Sequence, residues 1–313
     1  MFPVAMTTAL ITHPDCLGHV TPEGHPEQVA RLSSVLAALE PLDLPQTLAP
    51  LATIEDLVLC HPASYLAELR SVAPQAGQHQ LDEDTFMSPG SMSAALRAAG
   101  GVIRAVDMVL GGEAANAFVA TRPPGHHAEQ SRPMGFCLFG NVSIGAKHAL
   151  ERHDLSRVAI VDFDVHHGNG TQALCQEDER ILVVTSQQMP LWPGTGDPMD
   201  SGPFGSVMNV AFPPETGSDL FRETYSQDIF PRIDAFEPDL ILISAGFDAH
   251  ADDPLAQMNL ATSDFAWVTY GLCDLADKHC GGRVVSALEG GYNLSALAAS
   301  AAAHVQVLKE RGR

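Results

Sequence analysis

Two short stretches of this chain, Val158-Ala159-Ile160-Val161 and Leu240-Ile241-Leu242-Ile243, are apolar at every position. A strand with one face in water alternates apolar and polar residues, so an unbroken apolar run must be covered on both faces. Related runs mark strand candidates at Thr7–Ile11, Ala117–Ala120, Arg157–Phe163, Ile181–Thr185, Val207–Phe212, Asp239–Ser244 and Arg283–Leu288. Longer patterns between them predict helices at Pro26–Leu39, Ser64–Val72, Ser88–Leu110, Asn141–Arg152, Ser218–Phe236, Ser263–His279 and Leu294–Glu310. Strands that alternate with helices run parallel, because each helix carries the chain back to the starting edge of the sheet. The predicted fold is α/β, a three-layer α/β/α sandwich around a mostly parallel central sheet. No repeat, low-complexity tract or Ser/Gly linker divides the chain, which predicts a single domain over residues 1–313.

Charge narrows the choice of partners. Lys and Arg number 17 against 38 Asp and Glu, a net charge of −21. Nucleic acid and anionic membranes both reward a basic face, so neither is an expected partner. The six cysteines lack C-x-x-C spacing and read as thiols of a reducing compartment. The start, MFPVAMTTALITHPDC, has no basic region ahead of its apolar stretch, and no run of about 18 apolar residues could cross a bilayer. The expectation is a soluble cytoplasmic protein.

Sheets of this kind bind ligands beyond the carboxyl ends of their strands. Four segments there carry chemistry. The first is Asp162-Phe163-Asp164-Val165-His166-His167-Gly168-Asn169-Gly170-Thr171, directly after an apolar run. Alternate residues of an extended segment share a face, so Asp162, Asp164 and His166 would point one way. Carboxylates and an imidazole suit zinc or a similar borderline ion. The competing reading is a polar turn that happens to hold histidines. A calcium loop is excluded, because the twelfth position from Asp162 is Ala173 where a bidentate Glu is required. The second segment ends at Asp248, after Asp239–Ser244. It is either a helix cap or the third ligand of a site with an open coordination position. The third, Arg122-Pro123-Pro124-Gly125-His126-His127, holds two imidazoles beyond a strand end. They are either a surface feature or a general base and acid. The fourth is Glu289-Gly290-Gly291-Tyr292-Asn293, whose two glycines would let the phenol swing into a cleft. The alternative is an ordinary packed Tyr. No G-x-S-x-G elbow, phosphate-binding P-loop or H-E-x-x-H helix is present.

Taken in this order, the segments PPGHH, DFDVHHGNGT, WPGTG, SAGFD and LEGGYN, with His25-Pro26-Glu27 and Arg31-Leu32 ahead of them, resemble the zinc-dependent histone deacetylase superfamily. The likeness is greater to class II and bacterial members than to class I. It implies the arginase/deacetylase fold, with Asp164, His166 and Asp248 as zinc ligands. It also implies His127 as general base and then acid, and His126 as its electrostatic partner bonded to Asp162. Tyr292 would be the donor to the developing oxyanion. Gly135, Phe136 and Trp192 would wall a tube for an acyl-lysine side chain, with Gly291 beside Tyr292, and Asp84 would hold the substrate backbone at the rim. A structural potassium ion is implied on Asp162, Asp164, His166 and Thr185.

The chain departs from the pattern at several positions. Asn169 stands where class I relatives carry Asp beneath the second His, which should make His127 less basic. Val29 takes the place of a usual Pro, Gln187 that of a His, and Gln257 that of a Glu with which polyamine deacetylases read a second cation. The expected activity is zinc-dependent removal of acetyl or another short acyl group from lysine side chains of proteins or peptides, or from small acylated amines. The alternatives are an acetylpolyamine amidohydrolase and an acyl-lysine-binding pseudoenzyme; homo-oligomerisation is left open.

Overall fold

The computed structural model describes residues 7–312. The first six residues of the N-terminal segment read above lie outside them. Among the described residues there are ten strands: β1 (Thr8–Thr12), β2 (Gln46–Leu48), β3 (His79–Gln80), β4 (Phe86–Met87), β5 (Asn116–Val119), β6 (Val158–Asp162), β7 (Ile181–Gln188), β8 (Val207–Phe212), β9 (Leu240–Ala245) and β10 (Val284–Leu288). Eight form one sheet in the order β2-β1-β5-β10-β9-β6-β7-β8, and every neighbouring pair is parallel. The helices are α1 (Val29–Leu39), α2 (Ile54–Leu57), α3 (Ala63–Val72), α4 (Ser91–Leu110), α5 (Asn141–Arg152), α6 (Asn169–Cys175), α7 (Ser218–Thr224), α8 (Phe230–Phe236), α9 (Thr262–Cys280) and α10 (Leu294–Arg311).

The unbroken apolar runs have the cause the sequence implies. Val158 and Ile160 of β6, with Leu240 and Leu242 of β9, pack into a core that contains residues of α4 and α5. Ala159, Val161, Ile241 and Ile243 face the opposite way, into a second core under α1, α9 and α10. Each strand is therefore buried on both sides.

Three departures from the sequence reading have local reasons. The helix expected from Pro26 starts at Val29, because Glu27 turns inward to meet Arg122. The helix expected over Ser218–Phe236 is broken by a π-helical turn at Tyr225–Ile229, just ahead of Pro231, which has no N–H to continue the ladder. The strand β2 and the hairpin β3–β4 are too short to leave a pattern.

Candidate active site

Four central strands, β5, β10, β9 and β6, lie side by side and finish on the same edge of the sheet. Each delivers one of the four segments: Arg122–His127 from β5, Glu289–Tyr292 from β10, Gly246–Asp248 from β9 and Asp162–His166 from β6. Parallel pairing is what brings them together.

The strand β6 stops at Asp162, and the run-out is shaped by carboxylates that accept from the backbone. Asp162 Oδ1 accepts from the Asp164 N–H at 3.0 Å, and Asp164 Oδ1 from the His166 N–H at 2.9 Å. The three side chains then divide. Asp162 turns to His126, whereas His166 Nδ1 lies 3.2 Å from Asp164 Oδ1 and 3.0 Å from Asp248 Oδ2. One ligand atom from each of Asp164, His166 and Asp248 falls within 4.8 Å of the other two, and all three residues are buried. Asp248 is further held by the Val165 N–H at 2.9 Å, and Asp164 Oδ2 by the Gly290 N–H at 2.8 Å. A Cβ on Gly290 would collide with both carboxylates, and one on Gly246 with Asp164, so glycine there is what lets the backbone close on the ligands. Of the two glycines before Tyr292, Gly290 serves the carboxylates, whereas Gly291, at φ 120°, turns the chain against Leu297 and Phe247.

The electrostatics also favour a cation. Burial beside Asp164 pushes the Asp248 carboxyl up to about 7. Burial would lower His166, but hydrogen bonds to Asp164 and Asp248 raise it to about 10. Two carboxylates sharing one imidazole in a dry site form an oxygen and nitrogen donor set that fits zinc.

The paired imidazoles are driven apart. His126 Nδ1 lies 3.0 Å from Asp162 Oδ2; burial opposes its charge, but Asp164 and Asp162 raise it well above the usual imidazole range. Burial, reinforced by His126 and His166, pushes His127 well below that range. Its Nδ1 lies 2.8 Å from Asn169 Oδ1, an acceptor, so Nδ1 carries the proton and Nε2 is left as a base. Divergent values in adjacent groups are how one site holds both an acid and a base.

Above these groups opens a cavity of about 350 Å³, lined by His127, His166, Phe136, Leu191, Trp192 and Tyr292, with Asp84 among its lining carboxylates. The ring centroid of Trp192 is 4.7 Å from that of His127, and those of Phe136 and Tyr292 are 5.8 Å apart. Gly135, at φ 55°, leaves no room for a Cβ between the His127 and Trp192 rings. Phe136 sits at φ 69°, a strained value for a side chain that size, with its N–H donated to Thr85. Tyr292 faces the cavity, and its hydroxyl makes no hydrogen bond to the described residues.

Other predicted positions sit further out. Thr185 pairs in register with Asp162, but its hydroxyl lies 2.8 Å from Asn209 Oδ1 and 2.9 Å from Gln187 Oε1. Gln187 donates to the Gly196 carbonyl at 2.9 Å and so pins the WPGTG loop. Gln257 is not part of the cavity lining; its N–H donates to Gln188 at 2.8 Å.

Several supporting residues escaped the sequence reading. Glu129 accepts from Asn169 Nδ2 at 2.9 Å, placing a carboxylate one amide away from His127. Asp253 accepts the Tyr292 N–H at 2.7 Å. Arg31 donates to the carbonyls of Glu289 at 2.5 Å and Gly291 at 2.6 Å and lies 4.9 Å from the Tyr292 ring centroid. The arginine was visible in the sequence as Arg31-Leu32; its contacts, made some 260 residues away in the chain, were not.

Comparison with known proteins agrees with this geometry. The histone deacetylase domain profile matches residues 25–308. The chain belongs to the histone deacetylase family. It is 36% identical to a probable deacetylase of Archaeoglobus fulgidus, over 97% of this chain and 89% of that protein. It is 40% identical to a histone deacetylase-like amidohydrolase of Pseudomonas aeruginosa, over 78% of this chain and 65% of that one. The crystal structure of the HDA15 HD domain superposes with a TM-score of 0.93 at 31% identity, covering 98% of this chain and 89% of that domain. The α/β sandwich is thus of the arginase/deacetylase type, and the family is one of hydrolases that act as deacetylases. No helix among the described residues is long and apolar enough to cross a membrane.

Proposed function

We propose that this chain, as one domain over residues 1–313, hydrolyses the amide of acetyl-lysine or of a short acyl-lysine on a protein or peptide. The observation that carries this reading is the convergence of Asp164, His166 and Asp248 at the floor of an apolar-walled cavity, beside a neutral His127. A zinc ion held by these three residues supplies a Lewis acid and a water whose pKa falls from about 15.7 to about 7.

The protein's own groups do the rest. Phe136 and Trp192 sheathe the four methylenes of a lysine side chain and keep water off the amide. His127 takes a proton at Nε2 and returns it to the departing amine nitrogen, which would otherwise leave as an anion. The hydrogen bond to Asn169, backed by Glu129, fixes the ring for both transfers. His126, kept charged by Asp162, favours the negative charge that gathers on the acyl oxygen. Tyr292 donates its O–H to that oxygen, a contribution of about 3–4 kcal/mol. Asp84 accepts backbone N–H groups of the substrate at the rim. The products are a carboxylate such as acetate and a free amine.

A potassium ion on oxygens of Asp162, Asp164, His166 and Thr185 would offset the carboxylate excess behind the site. A neutral Gln257 tied to Gln188 favours lysine over a polyamine, whose second cation would find no charge there. The six buried free cysteines fit a reducing cytoplasm.

The test is to assay purified protein against acetyl-lysine peptides, longer acyl-lysines and acetylpolyamines, with and without chelator. Turnover of an acyl-lysine that the chelator abolishes and zinc restores is expected. Preference for acetylpolyamines would overturn the substrate assignment, and binding without turnover would mark a pseudoenzyme.

A further inference from the structure

A second group of ligand-type side chains lies at the opposite end of the sheet. Asp107 is in the last turn of α4, His148 in the second half of α5, and His153 caps the carboxyl end of α5. These helices lead to the starts of β5 and β6, whereas the candidate active site lies where those strands finish, about 16 Å away for a five-residue strand.

The geometry points to a divalent metal site. His148 Nε2 and His153 Nε2 approach the same oxygen, Asp107 Oδ1, at 2.7 Å and 2.8 Å, and one ligand atom from each residue lies within 4.8 Å of the others. The ring centroids are 5.5 Å apart, so the two rings flank one point. Two imidazoles and a carboxylate are a ligand set that zinc accepts, at about 2.0–2.2 Å per bond. In a tetrahedral site that requires nitrogen-to-oxygen separations of about 3.3 Å, an opening of roughly 0.5 Å from those seen.

Two features argue against a purely hydrogen-bonded cluster. Neither Lys nor Arg is within ion-pair distance of Asp107 among the described residues; its partners are the two imidazoles. The ligands also lie at the carboxyl ends of two helices, where unpaired carbonyls favour a cation. The route in is open, since the Asp107 side chain is 38% exposed and that of His153 27%.

We propose that Asp107, His148 and His153 bind a zinc-type ion that staples α4 to α5, with a fourth position left to water. The staple is separate from the reaction and sits behind the sheet.

The test uses the full chain, stripped with chelator and equilibrated in a buffered zinc solution. Bound zinc is counted by atomic absorption in the wild type, in Asp248→Ala, and in Asp248→Ala combined with His153→Ala or with Asp107→Asn. Asp248→Ala is expected to keep one equivalent and to show a zinc-dependent rise in melting temperature; both combined variants should lose the equivalent and the rise. His153→Ala alone should keep wild-type turnover with one zinc fewer. Absence of zinc from Asp248→Ala, or an equal zinc count and melting-temperature rise in Asp248→Ala and the combined variants, would overturn the proposal. The readout is the one-equivalent difference that His153 or Asp107 controls, so it does not depend on whether the active-site assignment holds.

Discussion

Two buried charge clusters meet in this molecule, and they are built on opposite plans. Around Glu27 the charges close on themselves. Its carboxylate meets Arg122 at 2.8 and 2.5 Å and Arg31 at 3.0 Å, and the surplus guanidinium donors reach carbonyls of Cys16, His19, Glu289 and Gly291. All three charged residues are buried. Burial opposes the Glu27 charge, yet the Arg122 and Arg31 guanidinium groups hold it down at about 2. Around Asp164 the balance is reversed. Asp162, Asp164, Asp248 and Glu289 are all buried with imidazoles and backbone N–H groups for company, and burial lifts Asp248 and Glu289 to about 7. The first cluster is complete as it stands and calls for no further ion. The second retains a demand for positive charge, which is what a metal centre requires.

The sharpest break between the two is expected at Asp248. Asp248→Ala should remove active-site zinc and turnover together while costing little stability, since it relieves repulsion with Asp164. Retained turnover in parallel zinc and activity measurements would refute the ligand assignment. Tyr292→Phe should lower kcat by roughly 10²–10³-fold with zinc kept and KM changed little. An unaltered kcat would place the oxyanion donor elsewhere. On the other side, Glu27→Ala leaves two guanidinium groups buried without their carboxylate and should cost about 3–5 kcal/mol in denaturant unfolding. If it costs less than Asp248→Ala, the division between structural and functional charge fails.

Acid sharpens the same contrast. Burial holds His19 and His61 at about 4 and His304 at about 3, against an ordinary value of 6.5. A depressed value in the folded state contributes stability that is complete above 6.5 and lost as pH falls through 4 and 3. The Glu27 contribution is complete above 4.5 and is lost as pH falls from there to about 2. Circular dichroism against pH should therefore show weakening that begins below 6.5, and a fold unaffected down to pH 3 would contradict it. The smallest expected effect is Asn169→Asp. A carboxylate beneath His127 raises that imidazole, so the acid limb of the pH–rate profile should move upward, by about one unit or more. A stationary profile would uncouple this position from the base.

What the sequence made legible follows the range of the interactions involved. The strands β6 and β9 announced themselves because double-sided burial is written in consecutive residues. Asp162, Asp164 and His166 were legible because they sit within five positions. Their division between His126 and Asp248 was not legible in the spacing, since it depends on partners 36 and 82 residues away, and only the family resemblance supplied it. Glu129 behind Asn169 and Asp253 behind Tyr292 were hidden for the same reason, as lone acids in an acidic chain. The Gly290 N–H on Asp164 is a backbone contact, and no side-chain pattern could signal it.

Trp192 is one of two tryptophans in the chain, 41% exposed at the cavity wall and edge-on to His127; the other, Trp267, packs with Phe230 and Arg222 on another face. Anything that slides into the tube must displace solvent from the first indole and leave the second alone. The protein thus carries an intrinsic fluorophore at its own doorway, and occupancy can be titrated by emission for compounds that are never turned over.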